Sequence, residues 1–449
     1  MKHKPPEARA ANLALPGKGF AFLTGSIFGL ALIFWGTPVV LDDPAVAAHP
    51  FMEVLGAAAP THARYWLVAV LVLTGLPLVC WRSTIPRWVL ILPALWLGWQ
   101  FVSATQTVDG ALTRATLKHF AACVVIFYTS ALVLSRNRNL AALGIPLGLC
   151  FLWMLRVGFE QRFGGLEATR EYFYLYILPN LEAYPRNFVS RMSSDRIYAT
   201  LFYPNALAGV ILLHLPMLLV TVWTLGNRLT VPSRCVLVAV FALASLACLL
   251  WSGSKTGWLV MAAAAFLVFL RLPLPLTQRW KLGIAAAVLV VGLAGFAWKY
   301  ADLFERGPTS VVARLDYWRA AWLTLQERPL TGTGPGTFAV AYARVKPPEA
   351  EMAKLAHNDY IEQASDSGIP GFLAYTVLIL GSVGVLYRRS FHRGQPFEGA
   401  VWLGVACWSL QSFMEFGLYI PALAWPAFGY LGWLWGMAGN AIDKPPPAG

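Results

Sequence analysis

The chain has 449 residues, of which 57% are hydrophobic and only 13% are charged, and its mean hydropathy is +0.57. A soluble globular protein carries about 25% charged residues, so this composition excludes that class and predicts an all-α integral membrane protein. The net charge of +13 gives no support for a nucleic-acid partner, because the basic residues follow a pattern of membrane topology.

Apolar segments of membrane-spanning length recur along the whole chain. A run of roughly 17–25 apolar residues can cross a hydrocarbon core of about 30 Å, and the sequence holds about twelve such runs. They lie near residues 20–41, 64–81, 86–104, 118–135, 138–157, 198–225, 233–251, 256–271, 280–299, 368–388, 398–419 and 421–438. We therefore expect a single polytopic membrane domain over residues 1–449, with membrane lipids around it.

The distribution of charge predicts the orientation of these spans. With the N-terminus inside, the short cytoplasmic loops carry many more Lys and Arg than acidic residues, which puts both termini in the cytoplasm. Residues 45–47, Ala-Val-Ala, resemble a signal-peptidase site, but the apolar stretch before them is too long for a signal-peptide core, so an uncleaved span is expected. The other basic residues lie outside, mostly in two long loops, and suggest an anionic ligand.

The spacing of the cysteine, histidine and acidic residues predicts neither a metal site nor a disulfide framework. The six cysteines lie within or at the ends of the predicted spans, so no disulfide framework is expected. No Cys and His spacing is typical of zinc, and the outer loops lack an Asp-X-Asp pair that could hold a hard cation. We expect neither a metal nor a cofactor.

Two outer segments interrupt the membrane domain, residues 158–197 and residues 300–367. In the second, apolar residues spaced three and four apart predict an amphipathic helix that ends before Pro329 and lies on the outer membrane surface. Its apolar residues are Val311, Leu315, Trp318, Trp322 and Leu325. A second helix is expected from about Glu349 to Ser367, with His357 on one of its stripes.

His357 is one of seven histidines and lies in a polar stretch beside Asn358 and Tyr360. An imidazole exchanges protons near neutral pH, so His357 is a candidate general base that takes a proton from a hydroxyl. The alternative is a surface histidine on an amphipathic helix. Asn358 and Tyr360 are candidate substrate contacts because they flank it.

Arginines of the outer segments are candidate phosphate ligands. Arg191 and Arg196 are expected at the outer mouth of the sixth span. A guanidinium fork suits phosphate oxygens, but an interfacial arginine can also serve only to fix the depth of a helix. Arg314 and Arg319, on the first helix of the second outer segment, face either a ligand or lipid headgroups.

Two polar residues lie within predicted spans, where each needs a partner. Asn205 follows Pro204, and this pair predicts a kink or a polar cavity. Glu415 lies near the outer end of the eleventh span. An intramembrane carboxylate is a functional candidate, and a buried ion pair with an outer arginine is the alternative.

Two glycine-containing turns are candidate anion sites. Lys255 lies in the tight outer turn of residues 252–257, where a cation beside successive backbone N–H groups favours an anion; a short turn with a snorkelling lysine is the alternative. Spacing and flanks exclude a P-loop. Gly334 lies in the run GTGPG of residues 332–336, which is similar to phosphate-cradling loops, although glycines also serve any tight turn.

Four motifs stand in a fixed order along the chain: RIYATLFYPNALAG from Arg196, SGSKTGW from Ser252, RLDYWRAAWLTLQERPLTGTGPGTF from Arg314, and AHNDYIEQASDSGIPGF from Ala356. In this order they resemble the O-antigen ligase and polymerase superfamily, over about residues 190–380. The ordered series is more specific than any one motif. Relatives commonly have Arg where this chain has Lys255, and a lysine keeps the charge but loses the bidentate fork.

The resemblance implies a metal-independent, inverting glycosyltransferase of the GT-C type in the bacterial inner membrane, with its active site facing the periplasm. It implies an O-antigen donor on undecaprenyl pyrophosphate and a lipid A core acceptor. His357 would be the base, and Arg196, Arg191 and Lys255 would neutralise the departing pyrophosphate. The long late outer loop with its histidine favours a ligase over the alternative, a polymerase. A transporter is the alternative of another class, although a transporter should place its polar residues near the bilayer midplane.

Overall fold

The computed structural model describes residues 6–41, 63–79, 85–180, 193–201, 203–299, 309–348, 350, 352–392 and 394–440. Within these ranges every regular element is a helix, as the sequence predicts. The principal helices are α1 (Pro6–Phe34), α2 (Ala63–Gly75), α3 (Arg87–Ala104), α4 (Gly110–Leu132), α5 (Ala141–Tyr176), α6 (Pro204–Leu225), α7 (Val231–Ser252), α8 (Lys255–Arg271), α9 (Gln278–Lys299), α10 (Thr309–Glu327), α11 (Phe338–Val345), α12 (Asp359–His392), α13 (Pro396–Gln411) and α14 (Pro421–Asn440).

Among the described residues, six helical segments are long and apolar enough to cross a membrane, judged by length and composition. They are Gly17–Phe34, Gly110–Arg136, Ala141–Tyr176, Pro204–Leu225, Val231–Ser252 and Asp359–His392. A shorter apolar helix covers Arg64–Leu78. Each predicted span overlaps one described helix, so the helical class is confirmed and is consistent with a membrane protein, whereas the number of about twelve spans and the GT-C type stay predictions.

The core of the bundle is α14, whose described side chains are all buried. A helix that is apolar on all sides belongs in the interior of a bundle, and Trp425, Trp433 and Trp435 fill this space. Helix α14 packs mainly against α4, α6 against α13, and α12 against α3 and α10. Large apolar side chains of α7 and α9 are instead exposed, as a lipid-facing surface requires; they include Val236, Val240, Leu243, Val288 and Val291.

The tight turn predicted between the seventh and eighth spans is confirmed. Helix α7 ends at Ser252, and Gly253 takes the left-handed conformation with φ +60°. The Ser254 hydroxyl then accepts a hydrogen bond from the backbone N–H of Gly257 at 3.2 Å, which caps the start of α8 at Lys255. A glycine can adopt positive φ without a Cβ penalty, so the chain reverses within two residues.

The predicted kink at Pro204 is wrong. Helix α6 begins at Pro204, and residues 193–201 before it are not helical. Proline is well tolerated in the first helical turn, because its missing N–H would have no intrahelical partner there. Asn205 therefore lies in the first turn of α6, at the end of the candidate span Pro204–Leu225.

The helix predicted from Glu349 to Ser367 is also wrong in its limits. Helix α12 begins only at Asp359, because the Asn358 side chain caps it by accepting hydrogen bonds from the N–H groups of Tyr360 and Ile361. His357 precedes the cap with φ +54° and lies on no helical stripe. The same helix bends at Gly368 (φ +68°) and continues into the predicted tenth span. Glu349 lies outside the described residues.

The first helix of the second outer segment has the predicted limits. Helix α10 covers Thr309–Glu327 and packs against α11 and α12. Its opposite face leaves Leu315 and Trp322 more than half exposed, which fits the amphipathic pattern. In the first outer segment, α5 continues as helix to Tyr176, and residues 181–192 lie outside the described part of the chain.

Candidate functional site

A non-helical segment, residues 193–201, brings Arg196 to the end of the bundle. The Gln161 side chain of α5 holds it: Oε1 accepts hydrogen bonds from the N–H groups of Tyr198 at 3.0 Å and Ala199 at 2.8 Å, and Nε2 donates to the Ala199 carbonyl at 3.1 Å. Ala199 has φ +52°, a strained conformation that persists only when its surroundings impose it. The path of the segment is thus fixed.

Arg196 joins this segment to α6 and α7. Its Nε donates to the Ser252 carbonyl at 2.7 Å, and one Nη donates to Asn205 Oδ1 at 2.6 Å. Burial lowers the pKa of the guanidinium; the Glu415 carboxylate opposes this effect and the Arg314 guanidinium adds to it. An arginine in a protein nevertheless stays charged. The other Nη has no hydrogen-bond partner among the described residues, so this donor is available for a ligand.

The α7–α8 turn lies directly against Arg196. A Cβ added to Gly253 would sit 3.2 Å from Arg196 Nε, so the backbone of the turn and the guanidinium are in contact. Lys255 begins α8 and is exposed. Arg196 therefore packs against the turn that leads into α8 at Lys255. Arg191, the third predicted cation, lies outside the described residues.

Glu415 is the centre of a charged network. It lies in the link between α13 and α14 and is only 7% exposed. Its Oε1 accepts hydrogen bonds from Asn205 Nδ2 at 2.7 Å and from Arg314 at 2.8 Å. A buried carboxylate is costly unless it is paired and hydrogen-bonded, and these donors meet that requirement. The buried ion pair that the sequence left as one alternative is present, and its arginine is Arg314.

His357 meets the other oxygen of the same carboxylate. Its Nδ1 lies 3.4 Å from Glu415 Oε2, an ion-pair distance. The ring stacks on Tyr317, with centroids 5.9 Å apart, and stands edge-on to Phe416 at 4.7 Å. A non-glycine residue with φ +54° stores strain of roughly 1–3 kcal/mol. The backbone and the rings together fix the imidazole with Nδ1 towards Glu415.

A small cavity of about 10 Å³ adjoins Asn205 and Glu415. This volume accommodates about one water molecule, far less than a sugar residue. It is lined further by Ala206, Trp408, Gln411, Ser412, Phe416, Gly417, Ile420 and Leu423. A large ligand of this site must therefore approach Arg196 and His357 from their exposed sides.

The run of glycines at residues 332–336 already binds a carboxyl group of the protein itself. The N–H of Gly336 donates to Asp366 Oδ2 at 2.7 Å, and the N–H of Gly334 donates to the Asp366 carbonyl at 2.9 Å. Gly334 has φ +105°, and a Cβ there would lie 2.3 Å from Thr107 Oγ1. These contacts explain the glycines by close packing and turn geometry, and a substrate contact of Gly334 stays a prediction.

The remaining predicted site residues have mainly structural contacts. Asn358 is the N-cap of α12 and is buried. The Tyr360 hydroxyl donates to the Ser409 carbonyl at 3.0 Å, and its ring contacts Phe413. Arg319 is exposed on α10. Their predicted roles in substrate binding stay predictions. In the described part of the chain, no group of three or more His, Cys, Asp and Glu side chains could hold a metal ion.

Sequence reasoning missed the residues that hold these segments in place. Gln161 on α5 and the acids of α12, Asp359, Glu362 and Asp366, are all buried. The acids follow one another at helical spacing just before an apolar run, which puts them on one face of a helix. That spacing was the feature of the sequence that could have identified these acids. Nothing in the sequence distinguishes Gln161 from other polar residues of its loop.

These observations define a class of protein: a multi-pass helical membrane protein with a cationic and histidine-containing site at one end of its bundle. Residues 239–376, less than a third of the chain, match the family model described as O-antigen ligase. Over these residues the chain is similar to that family.

The matched region and the site overlap only in part. Lys255, Arg314 and His357 lie inside residues 239–376, whereas Arg196, Asn205 and Glu415 lie outside. Contacts across Glu415 join the two sets. No curated protein matches the chain.

Proposed function

We propose that this protein is an O-antigen ligase. It transfers a polysaccharide from undecaprenyl pyrophosphate to a sugar hydroxyl of the lipid A core, at the periplasmic face of the inner membrane. It crosses the membrane about twelve times and has a GT-C-like fold. The observation that carries the proposal is the network around Glu415, because it joins Arg196 to His357 through one buried carboxylate.

The cations of the network suit a departing pyrophosphate. As the bond between the anomeric carbon and the phosphate oxygen breaks, negative charge grows on the leaving group. Donors fixed in advance near that charge are usually the largest contribution to catalysis. Arg196 has an Nη without a partner among the described residues, and Lys255 begins the helix after the turn that Arg196 contacts. Arg191 is the third proposed cation.

Arg314 has a different part in this proposal. Its guanidinium is paired with Glu415 at 2.8 Å, so its charge is already balanced. It holds the carboxylate in place between Asn205 and His357. It is not one of the cations that we assign to the departing pyrophosphate. Arg319, exposed on the same helix, is the more accessible cation for the donor lipid.

His357 acts as the general base. With Nδ1 towards the Glu415 carboxylate, the hydrogen of the neutral ring is stabilised on Nδ1, and Nε2 is left to accept a proton. The acceptor hydroxyl attacks the anomeric carbon opposite the pyrophosphate; its proton passes to Nε2, and the carbon–oxygen bond to the leaving group breaks. A single displacement of this kind inverts the configuration of the anomeric carbon.

The test is a reconstituted transfer reaction. Purified full-length protein in liposomes receives a labelled glycan on undecaprenyl pyrophosphate and a lipid A core acceptor, with no ion gradient. We expect label on lipid A core with inverted stereochemistry. Growth of label only on the undecaprenyl carrier would instead identify a polymerase of the same superfamily. No turnover with either acceptor would favour the transporter reading.

A further inference from the structure

Two buried acids in the first turns of α12, Asp359 and Glu362, touch none of the groups assigned to the reaction. Both side chains are fully buried, and a carboxylate in such a place is costly. Each one nevertheless bonds a segment that carries a reacting or charged group. Their contacts lead to the two side chains that face each other across the site, His357 and Glu415.

Glu362 holds the segment of the histidine. Its Oε2 accepts a hydrogen bond from the backbone N–H of Ala356 at 2.9 Å. Ala356 directly precedes His357, whose backbone has φ +54°. On the other side of the histidine, Asn358 is fixed as the helix cap. Hydrogen bonds therefore fix the residues on both sides of His357. A left-handed backbone conformation persists only when its surroundings impose it in this way.

Asp359 holds the segment of the carboxylate. Its backbone N–H donates to the Ser412 carbonyl at 2.9 Å, and its Oδ2 accepts from the Leu418 N–H at 3.0 Å. These two bonds bracket Glu415 on the link between α13 and α14. One turn of α12 thus anchors both the histidine segment and the glutamate segment.

On the basis of the proposed function, we propose that Glu362 and Asp359 are positioning residues that set His357 against Glu415 for proton transfer. They act through the backbone on either side of those side chains and contact no substrate. A displacement of about 1 Å at a reacting group can lower a rate about 10²-fold. Their effect should therefore fall on the chemical step and leave substrate binding nearly unchanged.

The principal variant is Glu362→Met, which removes the acceptor of the Ala356 N–H and keeps the volume of the side chain. The variant leaves the Ala356 N–H without its acceptor, so thermal stability is measured beside kcat and kcat is expressed per folded molecule. We expect kcat to fall about 10²-fold, while the KM values for donor and acceptor change little. Glu362→Gln keeps an oxygen that can accept from Ala356 N–H and should restore most of the activity. Asp359→Leu gives an independent second case.

The control variant is Gln363→Ala, one residue further along α12. Gln363 is fully buried and bonds Trp96, Gln100 and Tyr419, away from the histidine segment. It should lower the thermal stability of the protein without a comparable loss of kcat. An equal loss of kcat per folded molecule in Gln363→Ala and Glu362→Met would overturn the positioning role.

A second measurement does not depend on the reaction. Diethyl pyrocarbonate modifies neutral imidazoles. The folded protein is treated with the reagent and then digested, and mass spectrometry of the peptides gives the rate of modification at His357. We expect this rate to change in Glu362→Met and Asp359→Leu, but not in Glu362→Gln or Gln363→Ala. An unchanged rate in the first pair rejects positioning. If wild-type protein transfers no glycan to lipid A core, the proposed ligase reaction fails, whereas this measurement still decides the role of the acids.

Discussion

The network around Glu415 has two halves that differ in their surroundings. In the arginine half, Arg196 bonds the Ser252 carbonyl and the Asn205 amide oxygen and keeps one Nη without a described partner. In the histidine half, the ring of His357 is enclosed by Tyr317 and Phe416. Charge can be neutralised over a range of geometries, whereas proton transfer needs a fixed nitrogen. The comparison predicts that changes in the histidine half act through geometry and changes in the arginine half through charge.

The largest effect is expected for His357→Ala. Loss of a general base lowers kcat by about 10²–10⁴-fold, while the donor lipid should still bind, because the cations are intact. Transfer kinetics and donor binding would be measured on the same purified protein. His392→Ala, at the far end of α12, is the matched control. Wild-type kcat in the His357 variant would remove the base from the mechanism.

Arg196→Ala should have the next largest effect. Removal of one fixed donor from developing negative charge lowers kcat by about 10²–10³-fold. Arg196→Lys should retain part of the activity, since it keeps the charge and loses the fork. The control is Arg344→Ala, which breaks an exposed ion pair with Glu327. If Lys at position 196 is no better than Ala, geometry rather than charge governs this half too.

Glu415→Gln tests the junction of the two halves. The amide oxygen can still accept from Asn205 or Arg314, but an NH₂ group would replace the oxygen that faces His357 Nδ1. The carboxylate charge 3.4 Å from Nδ1 is thereby lost, and we expect kcat to fall about 10–100-fold, which corresponds to about 1.4–2.8 kcal/mol. The double variant with His357→Ala should be no slower than His357→Ala alone. Fully additive losses would mean that the two residues act independently.

The smallest effect is expected for Lys255→Ala. An exposed cation contributes about 0.2–1 kcal/mol to an ionic contact, which corresponds to a loss of roughly twofold to fivefold in donor affinity. Salt screens such contacts, so the loss should shrink as ionic strength rises. Lys255→Arg should bind the donor at least as well, because the fork adds a second hydrogen bond. A salt-independent loss would contradict this assignment.

Much of the helical architecture could be predicted from the sequence, because long apolar runs have one stable form in a bilayer. The limits of the helices near the site could not. The pair of Pro204 and Asn205 predicts a kink or a polar cavity within a span, whereas Pro204 is the first residue of α6. His357 was placed on a helical stripe and lies before the cap. In both cases one residue decides where the helix begins: Pro204 at the first helical position of α6, and Asn358 as the cap of α12. The periodicity of apolar residues does not detect such a start.

The two glycine-containing turns illustrate the same limit for the site. Both the run at residues 332–336 and the turn at residues 252–257 were predicted to hold an anion. In the first, N–H groups are taken by Asp366, a residue thirty positions away in the chain. In the second, Lys255 is exposed and Arg196 lies against the backbone. Local spacing cannot reveal whether a distant carboxylate already fills such a turn.

The left-handed backbone of His357 has an evolutionary consequence. At φ +54°, glycine or asparagine would fit the backbone better than histidine does. A substitution that removes the imidazole at this position would therefore raise the free energy of unfolding. Selection for catalytic turnover would oppose such a substitution. A homologue that has abandoned transfer chemistry should be recognisable by Gly or Asn here, in a fold that gained stability from the exchange.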